Sequence, residues 1–484
     1  MTDLLIHDAI VVTMDRENRV LENGSVRVSD GTVSSVEPTD AADRDATASR
    51  VIDADGKVVM PGLVDAHRHT DFTLVQGLFS ELAGDELLKE ALSLYHTAES
   101  VLRESFFEAG WRLACLRQLT HGVTTVNAMD FTPAIGAKAI GDAGLRGVIG
   151  PELADLLDPA PADEQIADAR RFIETYHGSH GGRVTASIAP GGEAGCSCEL
   201  WEGVADLRAA YPDLRLHTHL YDSAAADTMA AGSGASDPLD LLDRYGLLDE
   251  RTLLTHLLHA DRDDARRIAE SGAHVLHCPT VYSYFRSGRR SWFPLPSLSE
   301  FGANVVIGLD DPFWFDSWDL IQEAKHARLL SNYEYGSQQW SSYDLLEALT
   351  VDAARALGLD DRIGSLEPGK RADLIVVDVD TPRHRPFSNL PSVLVNTVTA
   401  GDVETVVVDG RVLMADRSVE SMDVESVRAA ATRERERLES RTGWETSLAG
   451  STPPDESILR RVSTRALLRA ARQYGRGAVA SWMR

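Results

Sequence analysis

The sequence predicts an α/β protein in which a (β/α)8 TIM barrel carries a small β-sandwich domain formed from both ends of the chain. Three observations support this fold class. Eight apolar runs alternate with helix-like segments between residues 57 and 361, strand-and-turn patterns occupy residues 1–56, and such patterns return in residues 362–420. Strands that are apolar on both faces and separated by helices form covered parallel sheets. Eight such units are typical of a closed barrel.

Individual elements follow from periodicity and turn residues. Residues 1–56 contain alternating β-rich runs such as Leu4–Thr13, separated by Asn-Gly and Asp-Gly turns. Helical periodicity predicts helices at Glu104–Leu119, Asp163–Tyr176, Trp201–Tyr211 and Asp261–Ser271. The eight barrel strands are predicted at Val58–Ala66, Val123–Met129, Leu145–Gly150, Val184–Ala189, Leu214–Leu220, Thr252–Leu257, Ala273–Cys278 and Asn304–Leu309.

The last segment, residues 421–484, is predicted to be a helical C-terminal extension. Residues 421–445 are highly charged, and residues 451–484 are rich in Arg. Within this tail, Ile458–Arg472 places apolar side chains near one helix face. We interpret the tail as a packed terminal helix, with a contact between subunits as the alternative, and we expect a homo-oligomer.

Charge excludes one class of partner. The 484 residues include 75 Asp+Glu against 48 Lys+Arg, a formal net charge of −27, which repels nucleic acid. The Asp-rich, Lys-poor composition resembles that of proteins adapted to high salt, although a GC-rich genome would also favour Arg over Lys. No stretch has the pattern of a signal peptide or membrane span, so we expect a cytoplasmic protein without a membrane partner. The four Cys lack zinc-site or disulfide spacing.

Six histidines fall at or near the carboxyl ends of predicted strands, where a barrel has its active-site face. The strongest unit is Pro61-Gly-Leu-Val-Asp-Ala-His67-Arg-His69, because residues i and i+2 of a strand point the same way. Two imidazoles so placed can bind one divalent ion. Comparable strand ends carry His217 and His219 with Asp222, then His256, His277, and finally Asp310 with Asp311. This set predicts a metal or acid–base site.

These motifs resemble the amidohydrolase superfamily of metal-dependent hydrolases, in particular the branch of cytosine, guanine and S-adenosylhomocysteine deaminases and triazine hydrolases. Further markers of the resemblance are Gly122-Val-Thr-Thr125, His277-Cys-Pro279 and the segment 363–378. The resemblance implies that the metal ligands are His67, His69, His219 and Asp310. It also implies that His256 polarises the substrate or orients water, and it aligns Asp222 with the acid–base Glu of the family.

The resemblance further implies one divalent ion, because no Lys lies near strands three to five to bridge a second. Zinc is the most frequent metal of the family, and iron and manganese stay open. Two departures from the family pattern stand out. Asp222 replaces a Glu and is shorter by one methylene, roughly 1.5 Å. Pro190-Gly-Gly-Glu193 stands where many of these deaminases have Pro-His, whose His helps to bind the substrate.

The aromatic loop after strand eight, Pro312–Trp318, predicts a pocket for a flat heterocycle, with a hydrophobic lid or subunit contact as the alternative. The candidate substrate-binding residues are His277, Tyr282, Arg286, Trp314 and Trp318.

The resulting hypothesis is an aminohydrolase that releases ammonia from an aminated N-heterocycle. Hydroxide generated at the ion attacks the carbon that bears the amine, with Asp222, His256 and Asp310 as catalytic residues. Two alternatives remain open. The same site is compatible with a triazine-type chlorohydrolase, an N-dealkylating enzyme or a cyclic-amide hydrolase, and the departures from the family pattern are compatible with a non-catalytic metal-binding relative.

Overall fold

The computed structural model describes residues 3–40, 48–79, 82, 104–157, 160–222, 225–284, 293–313, 317–447 and 450–452. The structure is mixed α/β: strands from both ends of the chain form one sheet, separate from the parallel strands of the middle. Within these ranges no helix is both long and apolar enough to cross a membrane.

Strands are numbered here in chain order through the described part of the chain. They are β1 (Leu4–Val12), β2 (Val20–Ser29), β3 (Thr32–Pro38), β4 (Arg50–Asp53), β5 (Lys57–Pro61), β6 (Leu63–Arg68), β7 (Val123–Asp130), β8 (Arg146–Leu153), β9 (Val184–Ala186), β10 (Ala189–Pro190), β11 (Leu216–Leu220), β12 (Thr252–His256), β13 (His274–His277), β14 (Val305–Ile307), β15 (Leu374–Asp378), β16 (Val403–Val408), β17 (Arg411–Ala415), β18 (Ser418–Val419), β19 (Glu445–Ser447) and β20 (Gly450–Thr452).

Helices fill the connections between the parallel strands, and local sequence explains their ends. Asp261, for example, accepts the N–H groups of Asp263 and Asp264, and Asp264 accepts the N–H of Asp261 in return, which starts the next helix with a capping box. The helices are Glu104–Thr120, Pro133–Ala143, Ala162–Tyr176, Ser179–Gly182, Cys198–Ala210, Ala226–Gly232, Pro238–Arg244, Arg262–Ser271, Pro279–Tyr284, Leu295–Phe301, Leu320–Tyr335, Ser342–Ala348, Val351–Ala356, Leu390–Asn396 and Val424–Thr442, with 3-10 turns at Thr73–Val75 and Ala400–Asp402.

The two ends of the chain meet in a nine-stranded sheet with the order β18-β17-β16-β15-β5-β1-β2-β3, in which β4 pairs with β1. Strand β5 joins the two halves, because it runs parallel to β1 on one side and antiparallel to β15 on the other. The predicted β domain from both chain ends is therefore confirmed as a separate sheet.

The middle of the chain forms two parallel sheets, β10-β8-β7-β6 with β9 beside β8, and β11-β12-β13-β14. Isolated parallel bridges connect Ile188 with Leu216 and Arg68 with Asp310, so each bridge joins an edge of one sheet to an edge of the other. Every residue of β6, β7, β11, β12 and β13 is buried, as the apolar runs predict. Because the strands are parallel, their carboxyl ends lie on one side.

The prediction of a single strand over Val58–Ala66 is wrong, because the run is broken at Gly62 into β5 and β6. A Cβ at Gly62 would lie 2.2 Å from the side chain of Thr124, so only glycine fits this close approach. The chain also changes partners here. The Gly62 N–H donates to the carbonyl of Asp373 beside the terminal sheet, whereas the Leu63 N–H donates to Gly122 beside β7.

The C-terminal helix Val424–Thr442 packs against the loop that follows β6. Arg435 Nη1 donates to the carbonyls of Leu74 and Gln76 at 2.6 and 3.1 Å. The ring of Trp444, just after the helix, meets Phe79 edge-on at 5.3 Å. The helix predicted within 421–445 is thus present, whereas the predicted helical face at Ile458–Arg472 lies outside the described residues.

A buried ion pair joins the parallel strands to the terminal sheet. Arg146, the first residue of β8, donates through Nε and Nη2 to the two carboxylate oxygens of Asp373 at 2.8 and 3.0 Å. Arg146 is only 1% exposed and Asp373 only 3%, so water cannot take the place of either partner if the other is removed. A bidentate pair of this kind attracts the two parts of the fold to each other and also fixes their relative orientation at this contact.

Arg146→Met is expected to lower the free energy of unfolding by about 3–5 kcal/mol, because it leaves the buried Asp373 carboxylate without its cation. Urea denaturation followed by circular dichroism measures the change. The control is Glu300→Gln, which breaks the equally two-pronged but exposed pair with Arg262 and is expected to leave the urea midpoint unchanged. An Arg146→Met protein as stable as the parent would contradict the assigned role.

Candidate metal centre

The first strand of the parallel set carries His67 and His69 to the carboxyl-end side. Both side chains are buried, and their ring centroids are 4.9 Å apart. The carbonyl of His67 accepts the N–H of Asp310 at 2.9 Å, which ties the end of β6 to the segment after β14. This approach requires Gly308, since a Cβ there would lie 2.6 Å from the His67 nitrogen.

Strand β11 brings a second pair, His217 and His219, to the same place. Nε2 of His219 lies 3.1 Å from Nε2 of His69, and Nε2 of His217 lies 2.8 Å from Nδ1 of His67. The rings of His219 and His256 are stacked with centroids 5.2 Å apart. The strand-end histidines predicted to cluster from β6, β11 and β12 therefore do so.

Asp310 lies at the centre of this cluster. Its carboxylate oxygens are 3.6 Å from Nε2 of His67, 3.7 Å from Nε2 of His69 and 3.4 Å from Nε2 of His256. Asp310 and His256 both have left-handed backbones, with φ of 65° and 77°. Such conformations cost non-glycine residues roughly 1–3 kcal/mol, and they concentrate where side chains are aimed at a functional site.

The donor set fits a divalent cation. His67, His69 and His219 form one group of ligand atoms within 4.8 Å of one another, and His67, His256 and Asp310 form another. Ligands about 2.0–2.1 Å from a tetrahedral zinc are about 3.3 Å from each other, close to the spacings found here. Nε2 of His67 is buried and lacks a hydrogen-bond partner among the described residues, as expected of an atom reserved for a metal.

Electrostatics favour the neutral, metal-binding form of these imidazoles. Burial and the neighbouring His69 lower the pKa of His219 to about 3. Burial, together with His69 and His219, likewise holds the pKa of His67 well below its usual range. The ring lone pairs are therefore free at neutral pH.

Polar side chains behind His67 orient its ring, a role that sequence analysis did not give to His217 when it placed this residue in the strand-end set. His217 is hydrogen-bonded to Nδ1 of His67, and its own Nδ1 lies 3.2 Å from the Asn127 amide nitrogen. Asn127 also donates to the carbonyl of Ala66 at 2.7 Å, which anchors it to β6. The available signal was the His217-Thr-His219 spacing, which puts both rings on the same side of β11.

Asp222 lies just beyond β11, on the same side as the histidine cluster. Its Oδ1 is buried and has no hydrogen-bond partner in the described part of the chain. Burial and the carboxylates of Glu193 and Asp310 raise the pKa of Asp222 well above its usual range. A raised pKa favours the protonated form of this carboxyl group, which is the form that can act as an acid.

Glu193 is a site residue that sequence analysis did not assign. It is 2% exposed, and its Oε1 accepts the N–H of Tyr221 at 3.0 Å. Burial raises the pKa of Glu193 to about 7. Its position three residues after Pro190, at the end of β10, was the signal in the sequence, because β10 and β11 end side by side.

The Arg between the two histidines of β6 is also part of the site region. Arg68 is 1% exposed, and its guanidinium stacks on the Trp318 ring at 3.6 Å. The Trp318 indole N–H donates to the side chain of Gln76 at 3.1 Å. Burial lowers the pKa of Arg68, whereas Asp65 and Asp311 counteract this effect. Trp318 thus packs over the strand that carries the first two candidate ligands.

The remaining predicted substrate residues have mixed positions. His277 ends β13, where its ring stacks on Phe293 at 4.1 Å and meets Tyr282 edge-on at 5.8 Å. Tyr282 is 1% exposed and Trp318 is 3% exposed. Trp314 and Arg286 lie outside the described residues.

Comparison with known proteins gives a consistent set of relatives. A family model described as "Amidohydrolase family" matches residues 58–413. The 5'-deoxyadenosine deaminase of Methanothermobacter thermautotrophicus is 31% identical over 404 residues, which cover 83% of this chain and 92% of that protein. The 5-methylthioadenosine/S-adenosylhomocysteine deaminase of Moorella thermoacetica is 31% identical over 435 residues, which cover 90% and 99%.

A solved structure agrees with these sequence matches. The adenosine deaminase from Xanthomonas campestris, solved with bound zinc, superimposes with a TM-score of 0.84 at 27% identity. The match covers 91% of this chain and 99% of that one.

His217→Ala is expected to weaken zinc binding about 10–100-fold, because His67 loses the hydrogen bond that orients its ring. Competition with a chromophoric chelator measures the affinity. The matched control is His274→Ala. It removes a buried histidine from the first position of β13, at the end away from the histidine cluster, where His274 is hydrogen-bonded to Asn304. Equal affinities in His217→Ala and the parent would show that His67 needs no such support.

Proposed function

Because the chain belongs to the amidohydrolase family, whose model covers about three quarters of it, we propose that it is a metal-dependent aminohydrolase. It releases ammonia from an aminated N-heterocycle by hydrolysis of a carbon–nitrogen bond. The observation that carries the proposal is the convergence of His67, His69, His219 and His256 on Asp310. The relatives named above make aminopurine nucleosides of the 5'-deoxyadenosine and 5-methylthioadenosine type the first substrates to test.

The proposed architecture is a closed (β/α)8 barrel over residues 57–361. Its support is the pair of parallel bridges, Ile188 with Leu216 and Arg68 with Asp310, that join the two parallel sheets at both edges. Residues 1–56 and 362–420 form the β-sandwich domain in this proposal, and residues 421–484 form the C-terminal extension.

The proposed metal ligands are His67, His69, His219 and Asp310, which hold a single divalent ion. Zinc is the first choice because the related adenosine deaminase has it bound, and iron and manganese stay as alternatives. When bound, such an ion supplies Lewis acidity that lowers the pKa of coordinated water towards about 7.

The remaining chemistry belongs to the side chains of the chain itself. Asp310 takes the proton of the attacking water through a carboxylate oxygen that faces His256. His256 Nε2 stabilises the charge that develops on the attacking oxygen, and Asp222 Oδ1 delivers a proton to the ring nitrogen. The proton held by Asp310 passes to the amine, which leaves as ammonia, and Asp222 recovers a proton from the hydroxyl group as the carbonyl forms. These roles rest on the distances to Asp310 and on the raised pKa of Asp222.

The proposed substrate pocket includes His277, Tyr282 and Trp318, whereas Trp314 and Arg286, which are also predicted to bind the substrate, lie outside the described residues. In the described residues, the His277 ring at the end of β13 stacks on Phe293, and Trp318 packs on the guanidinium of Arg68, the residue between His67 and His69. Gly191 and Gly192 leave this pocket without the Pro-His contact of many deaminases, so the preferred substrate is expected to differ from those of the relatives.

The purified protein is expected to contain about one equivalent of a divalent ion and to release ammonia from an aminated heterocycle. Chelation should abolish the release, and zinc should restore it. His67→Ala should lose both the ion and the activity. The acid excess supports a salt-adapted surface, so the assay is run in concentrated KCl as well as in dilute buffer. Unchanged activity in metal-free His67→Ala protein would overturn the proposal.

The same activity screen distinguishes the proposed deaminase from the alternative activities. Chloride, an alkylamine or a ring-opened acid in place of ammonia would indicate a triazine-type or cyclic-amide hydrolase with the same site. No product from any class, despite a bound ion, would indicate a non-catalytic metal-binding relative.

Asp222→Asn is expected to lower kcat about 10²–10⁴-fold and to leave the metal content unchanged, because the amide cannot deliver a proton. Steady-state kinetics and metal analysis on the same preparation measure both quantities. The control Asp206→Asn changes an exposed carboxylate on the helix Cys198–Ala210 and should behave as the parent does. Full activity in Asp222→Asn would remove Asp222 from the chemistry.

A further inference from the structure

The turn that carries Asp222 is strained and held from several sides. Tyr221 has a φ of 59°, a left-handed conformation that is unfavourable for a non-glycine residue. Its carbonyl accepts the N–H of His259 at 3.2 Å, and its hydroxyl donates to Asp264 at 2.8 Å. These bonds fix Tyr221 from the side of β12, and the remaining backbone group is its N–H.

That N–H is held by Glu193. Oε1 of Glu193 accepts the Tyr221 N–H at 3.0 Å, and the same carboxylate accepts the backbone N–H of Asp222. The two amides on either side of the strained residue therefore point at one buried carboxylate. These two hydrogen bonds offset the strain at Tyr221.

Glu193 can reach this turn because its own loop lies directly against β11. Gly192 has a φ of 89°, and a Cβ there would lie 2.7 Å from the carbonyl oxygen of His219. Glycine thus permits the loop after β10 to touch the strand of a candidate metal ligand. Glu193 follows at once, 2% exposed.

The short side chain of Asp222 makes this support necessary. An Asp has one methylene fewer than the Glu of the family pattern, so its carboxyl can move less to find a reacting atom. The position of the Asp222 carboxyl group therefore depends on the backbone position of Asp222, which the conformation of the Tyr221–Asp222 turn determines. The Oδ1 atom of Asp222 is buried without a partner among the described residues, which leaves it available for a substrate.

We propose that Glu193 is a positioning residue for proton transfer: its carboxylate holds the Tyr221–Asp222 turn so that the short Asp222 side chain reaches the substrate. The inference rests on the proposed function for the identity of the proton-transfer group. The glycine pair and Glu193 after β10 are then the counterpart of the shortened acid after β11, and the two departures from the family pattern form one unit.

The charge of Glu193 acts in addition to its hydrogen bonds. Burial and Glu193 raise the pKa of Asp222, and Asp310 after β14 adds to the effect. Cys278 after β13 also faces Asp222, and Asp227 faces Glu193 from the helix after the turn. Removing the Glu193 charge lowers the pKa of Asp222, so the alkaline limb of the kcat profile moves to lower pH.

The test compares Glu193→Gln and Glu193→Ala with the parent metal-loaded enzyme. Glu193→Ala removes both acceptors and should lower kcat about 10²-fold with little change in KM, as expected for a misplaced catalytic group. Glu193→Gln keeps the volume and one acceptor oxygen. It should lose less activity but still shift the alkaline limb to lower pH. The matched control Glu202→Gln removes an exposed charge from the helix Cys198–Ala210 and should shift nothing.

Hydrogen–deuterium exchange gives a readout that does not depend on turnover. The amides of Tyr221 and Asp222 should exchange faster in Glu193→Ala, while β12 and β13 keep their protection. If Glu193→Ala does not fold, Glu193→Gln carries the test through its pH profile. Parent-like exchange, kcat and pH profile in both variants would overturn the inference. A parent protein that deaminates nothing would overturn the proposed function alone, because amide exchange still tests the turn.

Discussion

The carboxylate of Asp310 is the group on which the rest of the site depends. Its backbone N–H closes onto His67, and its oxygens face His67, His69 and His256 at 3.4–3.7 Å. A carboxylate buried to this degree needs nearby cations or donors, since an isolated buried charge is very costly. The left-handed backbone at Asp310 and the approach allowed by Gly308 place this carboxylate among the neutral histidines, where a bound divalent cation would balance its charge.

What could be predicted from the sequence was governed by local periodicity. His67 and His69 are two residues apart on one strand, so their common direction needs no knowledge of the fold. The start of the helix Arg262–Ser271 can be predicted from Asp261, an acidic residue of the type that caps helix N-termini. The break at Gly62 was missed because an apolar run carries no sign of the Thr124 side chain that crowds it. Tertiary approach, not local preference, determined that position.

The role of Glu193 was hidden for a different reason. Its partner is a backbone conformation, the left-handed Tyr221, and a tyrosine at that position does not signal a positive φ. The sequence likewise shows His217, Asn127 and Arg68, but not the neighbours on which they act. His217 contacts His67, Asn127 contacts His217, and Arg68 contacts Trp318. Side chains that act on other side chains leave a weaker trace in a sequence than ligands do.

Strand β5 has a consequence for how the chain is made. It ends at Pro61, but its antiparallel partner β15 begins about 300 residues later, at Leu374. At 5–20 residues per second, a ribosome needs roughly 15–60 s to supply that partner. Throughout that time the emerging amino-terminal strands present an unpaired edge while the middle of the chain is still being synthesised. Completion of this sheet therefore requires a docking step, in which β15–β18 pair with the part of the sheet that β1–β5 began.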